Sequence, residues 1–173
     1  IRWEKSTTGF FGRWWSNVES TPTIALKPAF LTLKEVMDIH DEMVRLYGGK
    51  RGIRDSALLE SSLTMPRTGI VGQYLHTSLF EMAAAYLFHF SRNRPFFSAN
   101  DRTAVASALI FLRVNGYEVR CPARELHDLV NAVVQQKADK EIVAWFFQTH
   151  SRPTGAPDLP EGAAEAASPS AEA

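Results

Sequence analysis

The sequence predicts an all-α protein, a bundle of about six helices carrying a short β-hairpin flap. Three observations predict it. Apolar residues recur at helical spacing in successive windows between residues 33 and 150. Most of these windows open on a capping residue and close on glycine or proline. One stretch only, RTGIVGQYLH at 67–76, has the Gly, Val, Ile and Tyr content of a short extended hairpin.

Thr32 and Glu35 make a capping box, and Val36, Ile39, Met43, Val44 and Leu46 follow at helical spacing until Gly48 and Gly49, which predicts a helix over 33–47. Asp55 is a suitable N-cap for a short helix through SALLESSLT, closed by Pro66. After the flap, Thr77 or Ser78 caps LFEMAAAYLFHFSRN, a helix apolar on nearly every face and therefore expected to run through the core. The next helix, about 100–115, carries Ala104, Ala106, Ser107 and Ala108, small enough for another helix to approach closely, and stops at Gly116. Pro122 suits the first turn of ARELHDLVNAVVQQK, and DKEIVAWFFQTH supplies the last helix.

Composition divides the chain into three. Residues 1–30 form an aromatic arm with Trp3, Phe10, Phe11, Trp14, Trp15 and Phe30, too much apolar surface to leave in water, so it is expected to dock on the body. Residues 31–150 are the folded domain. Residues 151–173, rich in Pro, Ala and Glu with Leu159 the single large apolar residue, cannot offset their ordering entropy and are expected to be a disordered tail. The 19 basic residues balance the 19 acidic ones and form no block, which argues against nucleic acid as partner. The apolar run Met82–Phe90 is far short of a membrane span, and no targeting segment is expected. The lone Cys121 excludes an internal disulfide and a cysteine-based metal site, in keeping with a cytoplasmic protein.

Two blocks carry a family resemblance. YGGKRGIRDSALLESSLTMP and, further on, RNRPFFSANDRTAVASALIFLRVNGY resemble the death-on-curing (Doc) branch of the Fic/Doc (Fido) family, the second block matching its central motif His-Pro-Phe-x-Asp-(Gly/Ala)-Asn-Lys-Arg-Thr. The resemblance implies a Fido-type bundle and a toxin-type transferase. It would move AMP or a phosphate from ATP or another nucleoside triphosphate, with magnesium, onto a hydroxyl of a protein target. For Doc itself that target is the translation elongation factor Tu, and an antitoxin is a further expected partner. Pro95, Phe96, Ala99, Asn100, Arg102 and Thr103 agree with the motif, and the loop with the following helix start would form an anion nest for the phosphates.

Three positions depart from the motif. Arg94 stands where the family has its catalytic histidine, and a guanidinium cannot accept a proton at neutral pH. Ser98 replaces the acidic residue that helps to hold magnesium, and Asp101 replaces a phosphate-contacting lysine. Each of these side chains also has a purely structural reading. Arg94 could cover apolar neighbours with its stem, Phe96 fill the core, Asn100 cap a helix, Asp101 complement the helix dipole, and Arg102 join an ion pair. His89 and His40, on apolar helix faces, read as core histidines rather than replacement bases, and no metal site is expected. Two functions remain open: an impaired toxin-type transferase, and a pseudoenzyme that binds an antitoxin-like segment or a target protein without turnover.

Overall fold

The computed structural model describes residues 27–155. The expectations for residues 1–26 and 156–173 lie outside the described residues. The elements run α1 (Leu33–Tyr47), α2 (Ser56–Thr64) with a 3-10 turn at Met65–Arg67, β1 (Gly69–Ile70), β2 (Gln73–Tyr74), α3 (Leu79–Asn93), α4 (Asn100–Val114), β3 (Tyr117–Val119), α5 (Ala123–Val134), α6 (Lys140–His150) and β4 (Ser151–Pro153). This is the all-α bundle of six helices that the sequence predicts, with β1 and β2 forming the flap.

The helix starts follow their caps. Thr32 and Glu35 bond reciprocally in a capping box, Asp55 accepts from the amide of Leu58, and Ser78, not Thr77, caps α3 by accepting from Glu81. Helix α3 is the axis of the bundle. Met82, Ala83, Ala84, Tyr86, Leu87 and Phe90 are all buried, and the helix packs chiefly against α4 and α6. Runs of small buried residues on both α3 and α4, Ala83–Ala85 and Ala104, Ala106 and Ala108, allow the two backbones to approach closely. Tyr86 is wholly enclosed and its hydroxyl accepts from Leu31, while desolvation pushes the phenol up to about 12. Asn115 brackets Ala29 with two hydrogen bonds of 2.8 and 3.0 Å, and Phe30 stacks on Phe111, so the chain entering α1 is fixed to the end of α4.

One boundary moves. The expected tail begins at residue 151, yet Ser151–Pro153 forms β4, antiparallel to β3, and Thr154 donates to Gly116. Composition does not signal this pairing because it uses backbone groups, with Arg120 also donating to the carbonyl of His150 at 2.7 Å. Among the described residues no helix is long and apolar enough to cross a membrane.

Candidate functional site

The site is built on the loop that turns α3 into α4. Arg94 ends α3 in the left-handed region (φ 48, ψ 57) and Ala99 precedes α4 in the same region (φ 56, ψ 21). Left-handed backbone is unfavourable for side chains other than glycine, so something must hold the loop. The segment 49–55 does so. Arg54 Nε donates to the carbonyl of Arg94 (2.8 Å) and Nη2 to that of Asn93 (2.9 Å), while the amides of Arg54 and Asp55 both reach Pro95 O. Ile53 bridges Phe96, and Phe97 N donates to Gly52 O. The two blocks that stand apart in the sequence are thus one clamp.

Phe96 is 1% exposed and fills the core, its ring parallel to that of His40 at 4.0 Å between centroids and to that of Phe90 at 6.3 Å. Asn100 braces it: Oδ1 accepts from Phe96 N (2.9 Å) and Nδ2 donates to Phe96 O (3.0 Å). This corrects the reading of Asn100 as a helix cap. Ala99 occupies the cap position without a side-chain bond, and Asn100, already helical, turns its amide back onto the loop. Thr103 is buried, with Oγ1 3.4 Å from His40 Nδ1. Ser98 Oγ donates to Lys50 O at 2.9 Å. Gly49 faces it at φ +130, and a Cβ there would fall 2.4 Å from Ser98 Oγ, so the turn requires glycine.

The charged residues pair locally. Arg94 Nη1 lies 3.3 Å from Asp101 Oδ2, across a half-exposed rim. Arg102 is not the ion-pair partner expected of it; its guanidinium sits over the ring of Tyr47, 4.8 Å from the centroid. Arg94, Ala99, Asn100, Asp101, Arg102 and Val105 form one wall of a cleft of about 280 Å³, and Leu126, His127, Val130 and Asn131 of α5 form the other. Sequence reasoning did not single out this second wall. Its signal is the i, i+4 spacing of two apolar and two polar residues side by side on α5. His89 and His40 line no part of the cleft; in both, Nε2 is buried and unpartnered, and burial pushes the His89 imidazole down to about 4.

Residues 30–112 match the Fic/DOC family, a span that runs from the start of the chain's fixed entry to within α4. The chain is 38% identical over 96 residues to the protein kinase doc of Escherichia phage P1, covering 56% of this chain and 75% of that one. It is 31% identical over 100 residues to the toxin Doc of Mycolicibacterium smegmatis, covering 57% and 77%. The chain belongs to the Fic/Doc family, in its Doc branch.

The loop between α3 and α4 is thus held by segment 49–55 and by Asn100, and its charged side chains pair locally. A magnesium–triphosphate complex does not fit the donors present. Position 98 offers a hydroxyl already given to Lys50 O, and the one carboxylate on the cleft wall, Asp101, faces Arg94. Among the described residues no group of three or more His, Cys, Asp or Glu is placed to hold a metal ion.

Proposed function

We propose that this Doc-branch protein binds a protein partner without transferring phosphate or AMP to it. The Arg94–Asp101 pair carries the reading. At the position implied for the general base stands a cation that cannot accept a proton, and its charge is spent on a carboxylate 3.3 Å away rather than on a phosphate. The second departure removes the metal-holding carboxylate. The third puts an anion in the first turn of α4, where a phosphate would lie.

An antitoxin-like segment or a translation-factor target, met in the cytoplasm, is the partner class in keeping with relatives that include a protein kinase and a toxin. The competing reading, a weakened transferase using ATP or another nucleoside triphosphate with magnesium, needs a base on the cleft wall. His127 is the imidazole there, and Asn131 Nδ2 lies 3.1 Å from its Nδ1. Incubation of the full chain with labelled ATP, magnesium and elongation factor Tu, together with calorimetry of ATP–magnesium binding, separates the two. No label transfer and no saturable heat are expected. Transfer that disappears in His127→Ala would establish the enzyme instead.

A further inference from the structure

The cleft has a charge balance, a wall chemistry and a size that together describe a different ligand from a magnesium nucleotide. Its lining holds two guanidinium groups, Arg94 and Arg102, against one carboxylate, Asp101. Arg94 and Asp101 face each other. Arg102 has no carboxylate partner among the described residues, and its guanidinium lies over the ring of Tyr47, 4.8 Å from the centroid. Leu126 and Val130 of α5 on the opposite wall, and Val105 of α4 on the same wall as Arg102, add a largely buried apolar lining that would strip water from a polyphosphate without replacing it. The volume, about 280 Å³, sits just below the roughly 300–1,000 Å³ of sites that enclose drug-sized ligands and suits one or two side chains.

We propose that the cleft between α4 and α5 is a metal-independent site for a single carboxylate carried on a branched apolar group. Arg102 takes the carboxylate in a two-point hydrogen bond, and the apolar body lies on Leu126 and Val130. The α5 wall lies beyond residues 30–112, the span matched to the family. The inference rests on the reading that the site turns over no magnesium nucleotide.

Titration of the isotope-labelled full chain by NMR tests it, without magnesium or nucleotide, using three probes. Isocaproate is the free acid, isocaproamide its neutral analogue, and acetyl-Leu-Glu-Leu-amide a carboxylate in peptide form. Saturable shifts at the Arg102 side chain and at Leu126 and Val130 are expected with both carboxylates and absent with the amide. Tighter binding of the peptide assigns the ligand to a protein segment; tighter binding of the free acid assigns it to a small metabolite-type acid. Arg102→Gln should weaken binding about tenfold, the usual worth of a charge-assisted pair. Asp101→Asn should strengthen it a few-fold by removing a like charge, a gain that damage to the fold cannot mimic. Absence of saturable shifts with both carboxylates, equal binding of the amide, or an unchanged affinity in Arg102→Gln overturns the proposal. Label transfer from ATP to elongation factor Tu would overturn only the reading of a silent site, because the carboxylate titration contains neither component.

Discussion

Arg94 Nη1 and Asp101 Oδ2 lie 3.3 Å apart, joining the end of α3 to the first turn of α4. By the family resemblance these positions would hold a histidine and a lysine; here they carry opposite charges that meet in space. As an exposed pair it adds at most about 1 kcal/mol to stability. In the function proposed above its consequence is chemical, since the Arg94 charge is engaged by a carboxylate rather than by a phosphate.

Arg94→His alone is expected to leave the protein without transfer activity. A positioned base is worth roughly a hundred- to ten-thousand-fold in rate, but the variant leaves Asp101 as an unpaired anion facing the phosphates. Arg94→His with Ser98→Asp and Asp101→Lys is the combination expected to label elongation factor Tu from ATP. Labelling assays on the single and triple variants check this; robust labelling by the single variant shows that Ser98 and Asp101 are tolerated.

Asn100→Ala removes both bonds to the buried backbone of Phe96 and leaves an N–H and a C=O unsatisfied. The cost is about 2–4 kcal/mol, a fall of roughly 5–12 °C in melting temperature. Asn100→Asp retains the acceptor for Phe96 N and loses the donor to Phe96 O, so its melting temperature should fall between the two. Calorimetric melts of the three proteins test the order.

His89 makes stability depend on mild acid. Burial, then the charge of Lys140, then His76 hold its pKa at about 4, below the ordinary 6.5. A depressed folded-state pKa means that the unfolded chain binds the proton first. The stabilisation is therefore complete above pH 6.5 and is lost as the pH falls towards 4, to the extent of about 2–3 kcal/mol once solvent screening is allowed for. Urea unfolding of the protein and of His89→Gln at pH 7.5, 5.5 and 4.5 measures the difference; a constant gap between the two curves contradicts the assignment.

Truncation at two points separates the contribution of β4 from that of the residues beyond it. Ending the chain after Gly155 keeps β4 and the bond from Thr154 to Gly116, and removes a stretch with Leu159 as its one large apolar residue; the melting temperature should hold within about 1 °C. Ending it after His150 removes the β3–β4 pairing and should lower the melting temperature by several degrees, on the order of 1–2 kcal/mol. Equal melting of the two truncated chains would show that β4 contributes nothing.

The sequence by itself determined the helices, because the signals that set them are local. Thr32 with Glu35, Asp55 and Ser78 cap within four residues of their partners, and the apolar spacing of α1, α3 and α4 marks their buried faces. It also determined the family, since a motif is read residue by residue. Only the tertiary structure decided what the motif's side chains do. Asn100 turning back onto Phe96, Arg54 reaching 40 residues along the chain to Arg94, Arg102 on Tyr47, and the α5 wall of the cleft are all features that the linear order of residues does not reveal. A capping preference is a property of one residue and its neighbours, whereas the partner of a long polar side chain is set by which backbone carbonyls and rings the packed helices bring within about 3–5 Å of it.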